Sequence, residues 1–321
     1  MKSELLYDNF LDALSEKFPQ RSKLTNALTE LLFIEKEAIY RRLRKEVPFT
    51  FYEIATIARE WDLSIDNIIG LTPSKSRPFQ LKLTEHLHPT ETDFMMMQHY
   101  VDVLKFTGED PTSKMVDASN ILPQSLHMNF EQLAKFYMFK WGYQYGDSSK
   151  IIPFQDIVIC DRLRQLETDH ATLVKNINSV SYLWDNMIFK YFVNDIRYFS
   201  SIYMITPEDT ELIKQDLLAF IDYTEKLAKD GVFSETGNRV QIYISHINFD
   251  TNYSYICTDT FKLSMIKTFI MNAAASMDEK AFDQTKRWIG ALKKSSVLIS
   301  ESGERQRIEF FEEQRKLISS L

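Results

Sequence analysis

The chain has 321 residues, a net charge of −7, 44% hydrophobic and 13% aromatic residues, and only 8 glycines and 9 prolines. That length holds two domains and a large core, and few Gly and Pro favour long helices over many turns. The composition excludes collagen-like and low-complexity classes. Cys160 and Cys257 stand alone, so they build no zinc site unaided and match the usage of a reducing cytoplasm.

The opening MKSELLYDNF places acids early and contains no apolar run, so it does not read as a secretion signal. No stretch nears the roughly 18 uninterrupted apolar residues of a membrane span. Residues Glu4 to Phe18 read as an opening helix.

From Leu24 to Gly70 the pattern predicts four short helices with tight joints. Ser22 offers a cap, and Leu24, Ala27, Leu28, Leu31 and Leu32 form one apolar stripe. Phe33, Ile34 and Glu35 form a joint. A second helix runs from Glu35 to Lys45, with Ile39 and Leu43 inward, and Pro48 stops it. Thr50 caps a third, in which Ile54, Ile57 and Ala58 face the core; Leu63 to Gly70 closes the set with Ser64 as cap. Between Arg21 and Lys45 there are seven basic and three acidic residues. A local basic patch on an acidic chain points to a nucleic-acid face more than net charge does.

This segment resembles the lambda-repressor-like helix-turn-helix family, the Cro/C1 or XRE type. Leu28, Leu32, Ile34 and Ile39 fill its apolar positions, and IATIAREWDLSIDNIIG is similar to its last two helices. The likeness covers about 50 of the 321 residues. Two positions depart: Thr29 stands where a small residue is usual, and Phe33 where the turn glycine is usual. A bulky residue there implies either a backbone that is not left-handed or strain.

The resemblance implies binding of double-stranded DNA through Glu35 to Lys45. Lys36, Glu37, Tyr40 and Arg41 are the base-edge candidates, with Arg41 suited to guanine and Glu37 to cytosine. Arg21, Lys23, Thr25, Arg42, Arg44 and Lys45 are the phosphate candidates. A homodimer on two half-sites is expected.

Leu71 to Gln80 reads as a linker, dividing residues 1–72 from 81–321. The second part is expected to be mainly α. Its helices are expected over Glu91–Phe106, Phe130–Tyr145, Phe154–Asn176, Ser181–Tyr203, Pro207–Lys229, Asp259–Met277, Lys280–Leu292 and Glu304–Ser320. Arg239 to Ile256 alternates like a β-hairpin turning at Asp250, Thr251 and Asn252. Glu85, His86, His88 and His99 read as surface loop residues, and the Phe94–Met97 run and the aromatics of 131–145 and 182–203 as packed core.

No phosphate loop, nucleophile elbow, HExxH or CxxC occurs. The expectation is therefore a cytoplasmic transcription regulator that is not an enzyme, with no metal or cofactor, whose helical second domain senses a small-molecule or protein effector or joins subunits. The competing expectation is an interaction scaffold whose helix-turn-helix has lost DNA binding.

Overall fold

The computed structural model describes residues 2–61, 63, 79–146 and 152–321. It divides into two compact units, Met1–Arg77 and Pro78–Leu321.

The first unit holds α1 (Lys2–Lys17), α2 (Arg21–Leu32), α3 (Lys36–Leu43) and α4 (Phe51–Glu60). Phe10 and Leu14 of α1, Leu24 and Leu28 of α2, Ile39 of α3 and Ile57 of α4 meet in one core with Phe49. Ser22 lies inside α2 and does not cap it; Gln20 precedes the helix without a side-chain cap. Thr50 does cap α4, in a reciprocal capping box with Glu53.

Helix α3 is shorter than expected. Pro48 does not stop it. Lys45, with φ of 66°, adopts a left-handed backbone, the Lys45 amide donates to Arg42 O and the Glu46 amide to Arg41 O. That is the Schellman closure. The helix expected at Leu63–Gly70 and most of the linker lie outside the described residues.

The second unit corrects the mainly-α expectation. It carries an eight-stranded mixed sheet in the order β1-β7-β6-β5-β2-β3-β4-β8. The strands are β1 (Gln80–Lys82), β2 (Lys114–Ser119), β3 (Ser179–Asp185), β4 (Arg239–Ser245), β5 (Tyr253–Cys257), β6 (Lys262–Thr268), β7 (Asn272–Ser276) and β8 (Ser296–Leu298). Strands β2, β3 and β4 are parallel, and the remaining pairings are antiparallel.

The helices are α5 (Glu91–Gly108), α6 (Gln124–His127), α7 (Glu131–Tyr145), α8 (Asp161–Val174), α9 (Ile188–Ser201), α10 (Pro207–Asp230), α11 (Glu279–Lys294) and α12 (Glu304–Ser319). One sheet face carries Met115, Val180, Tyr182, Ile242 and Met265, buried with Phe136, Phe189, Phe220 and Phe311 of the helices. The other packs Ala118 and Leu183 against Ile289 of α11.

Three sequence expectations fail here for identifiable reasons. The helix drawn over Ser181–Tyr203 is strand β3 followed by α9. Every residue of β3 from Val180 to Asp185 is buried, so the strand shows none of the alternation that a half-exposed strand would show. The helix drawn over Asp259–Met277 is the β6–β7 hairpin. Its turn uses left-handed Phe269 (φ 47°) and Ile270 (φ 66°), positions that Asn and Gly usually signal. The helix over Phe154–Asn176 is a short turn at Phe154–Asp156 and then α8.

The two strands read in Arg239–Ile256 both exist, but they do not pair. Strand β4 lies between β3 and β8, and β5 between β2 and β6. Neither is an edge, so they supply no open edge for self-association. Among the described residues the edges are the three-residue β1 and β8, short as edges usually are in proteins that avoid edge pairing.

Candidate nucleic-acid interface

Helices α2 and α3 are joined at Phe33, Ile34 and Glu35. Leu28 and Ile39 are fully buried and fix the two helices against each other. Phe33 settles the question its side chain raised: the backbone is left-handed, with φ 55° and ψ 37°, and its amide closes α2 on Thr29 O. The ring is 92% exposed, so no packing offsets the roughly 1–2 kcal/mol that a side chain costs in this region.

Burying Ile39 turns the opposite side of α3 to solvent. Lys36, Glu37 and Arg41 are exposed and Tyr40 is half-buried. They lie within about one and a half turns of the helix start, where a helix entering a major groove reaches bases. Arg21 and Lys23, at the start of α2, are also exposed. Among the described residues, Arg21, Lys23 and Lys36 enter no ion pair.

Other phosphate candidates have protein partners. Thr25 is buried and its hydroxyl donates to Arg21 O, so its side chain serves the helix. Arg42 lies against Glu53 through two hydrogen bonds of 3.1 and 2.8 Å, with both side chains mostly buried. Burial would raise the Glu53 carboxyl, but the Arg42 and Thr50 hydrogen bonds outweigh it and hold it low. This pair fastens α3 to α4.

Arg44 pairs with Glu37 at 3.1 Å and Glu46 at 2.9 Å, Arg41 with Glu46 at 3.5 Å, and Lys45 with Asp8 at 2.5 Å. All are solvent-exposed pairs, worth little each. Sequence reading missed Phe51 and Tyr52, both 79% exposed at the start of α4. Nothing in periodicity marks them, because aromatics at a helix start are usually core.

In the second unit, His88 and His99 are exposed as expected, but His86 is buried. It packs edge-on against Trp141, ring centroids 5.4 Å apart. Burial and the Lys267 charge press its pKa down to about 4. Among the described residues no group of three or more His, Cys, Asp or Glu is placed to hold a metal ion. No described helix is long and apolar enough to cross a membrane. Phe94 and Met97 join the core, while Met95 is exposed.

Compared with models of known protein families, with curated proteins and with solved structures, the chain matches none.

Proposed function

We propose that the chain is a sequence-specific DNA-binding transcription regulator of the helix-turn-helix type. In this reading the first unit binds duplex DNA and the α/β second unit senses an effector or joins two copies. The observation that carries it is the outer face of α3: Lys36, Glu37, Tyr40 and Arg41 point away from a core held by Leu28 and Ile39. Lys36, Tyr40 and Arg41 reach base edges, and Arg21, Lys23, Arg44 and Lys45 hold phosphates. One module makes few base contacts, so two copies on two half-sites form the working complex.

Selection of full-length protein against a randomised duplex pool tests this. Enrichment of one sequence, with loss of preference at one base pair in Arg41→Ala, is the expected result. A pool that stays random would remove the reading.

A specific observation favours a second reading, an interaction scaffold. Glu37, Glu46 and Asp8 already neutralise much of the charge at the end of α3, and Phe33, Phe51 and Tyr52 offer apolar surface nearby in sequence. Under that reading the same selection yields nothing, and Phe33→Ser with Tyr52→Ser abolishes a protein contact.

A further inference from the structure

The second unit places opposite charges on one face of its sheet with no ion pair between them. Strands β2 and β6 run in the same direction, with β5 antiparallel between them. Side chains two apart on a strand share a face. Asp117 therefore joins Met115, and Lys267 joins Met265, on the face that carries the large core. Both lie toward the carboxyl ends of their strands.

That end of β2 is also where the strand order turns. The chain lays β2, β3 and β4 side by side, then returns to the other side of β2 for β5. In open α/β sheets, ligands sit outside the carboxyl ends of the parallel strands, and Asp117 lies near that end of β2.

The surroundings are polar and deep. Lys267 donates to Gln124 Oε1 at 2.6 Å, and Ser119 donates to Asp117 at 2.6 Å. Ser125 and Tyr182 hydroxyls lie 2.9 Å apart. The Tyr100 ring meets His170 edge-on at 5.3 Å. His127, His170 and His86 are all buried, and the Lys267 charge acts on each of them. Yet Lys267, Asp117 and Tyr100 keep partial solvent exposure, so they border open space and are not packed solid.

Among the described residues neither Asp117 nor Lys267 enters an ion pair, although each lies in the other's field. In a low-dielectric interior opposite charges attract strongly; here strand positions with β5 between them hold them apart. Burial raises the Asp117 carboxyl and lowers the Lys267 ammonium to about 8, and the attraction between them offsets this only in part. His86 adds a second sign: neither of its ring nitrogens has a hydrogen-bond partner among the described residues, although only 8% of the residue is exposed.

We propose that this crevice binds a small zwitterion of the free α-amino-acid class, its carboxylate on Lys267 and its ammonium on Asp117. Tyr100, partly exposed beside them, reads the remainder of the molecule, while Tyr182, fully buried, holds the Ser125 hydroxyl behind it. A role for this ligand as an effector rests on the DNA-binding reading; its binding does not.

The test uses the full chain without DNA. Thermal unfolding is followed with each common α-amino acid in turn, and any that stabilises is titrated calorimetrically. The matching N-acetyl amino acid and the amino acid amide, each lacking one charge, are titrated beside it. Stabilisation by at least one amino acid, with affinity reduced tenfold or more in both charge-deleted forms, is expected. Asp117→Asn and Lys267→Gln, checked for folding by circular dichroism, weaken binding similarly. The ligand comparison needs no variant, so a variant that does not fold leaves the test intact. No stabilisation by any amino acid, or equal binding of the charge-deleted forms, overturns the proposal. DNA binding measured separately then stands or falls by itself.

Discussion

The two units treat charge in opposite ways. In the first, the buried side chains among the described residues are Phe10, Leu14, Leu24, Leu28, Ile39, Phe49, Ile57, Ala58 and Thr25, and the described charges lie outside or, as with Arg42 and Glu53, at the margin. In the second, carboxylates, an ammonium and three histidines lie among the large aromatic side chains. Burying a charge is costly unless it is paired. A unit of this size tolerates it because its core is large enough to offset the cost. Outward charge suits a phosphate backbone; inward charge suits a small polar ligand. The contrast can be broken or sharpened by experiment.

The largest effect should come from the small core. Leu28→Ala removes a fully buried side chain at the joint of α2 and α3. It should cost about 2–5 kcal/mol, enough to unfold the first unit while the second keeps its transition. Urea unfolding followed by circular dichroism checks this; a single unshifted transition would contradict the separate first core.

Next comes Glu53→Ala. It strands the Arg42 guanidinium and removes half of the capping box. Breaking a mostly buried pair this way should cost about 3 kcal/mol. A loss below about 0.5 kcal/mol would mean the pair behaves as a surface one.

The second unit should respond to pH with a definite sign. Burial lowers His86 to about 4 and His127 and His170 to about 3. The folded state holds them neutral, so their contribution is present above about pH 6.5 and is lost on acidification, at up to about 1.4 kcal/mol per pH unit for each. Burial raises Glu167 to about 7, with the opposite sign: its contribution is present at low pH and lost as pH rises towards 7. Asp117, also raised by burial, adds to that side, but the three histidines outnumber the two carboxyls, so the unit should weaken between pH 6.5 and pH 5. In Glu167→Gln its share of the opposing contribution disappears and the decline should steepen. Urea midpoints at both pH values for both proteins decide it; a wild-type midpoint that rises on acidification would refute the neutral histidines.

The smallest effect is at Phe33. Phe33→Gly relieves the left-handed backbone but adds freedom to the unfolded chain, so the net gain should be about 0.5–1 kcal/mol. A loss of stability would mean that the exposed ring does pack on something.

The difference between the units also explains what could be read from sequence. In the first, Leu28, Ile39 and Ile57 recur at helical spacing and Thr50 announces its cap, so local pattern and tertiary structure agree. The long helices α5, α7, α10, α11 and α12 were legible for the same reason. The sheet was not. Strand β3 is buried on both faces and lost its alternation, and β7 is the alanine-rich NAAAS, which favours helix until partners pair with it. Pairing of β2 with β3 and β5 joins residues far apart in the chain, which no local pattern encodes. For the crevice, Asp117 and Lys267 are separated by most of the second unit and meet only through strand order. His86 looked like a loop histidine because nothing near it in sequence shows Trp141 beside it.

The central claim is that the outward charge of the first unit meets phosphates. Fluorescence anisotropy of the full chain on a labelled duplex, from low to high salt, tests it directly. Affinity should fall steeply with salt as counterions are released, and Arg44→Ala should flatten the slope by about one. Arg41→Ala should cost about 1–3 kcal/mol on a selected site and much less on random duplex. No binding at low salt, or binding indifferent to salt and to both substitutions, would contradict the account.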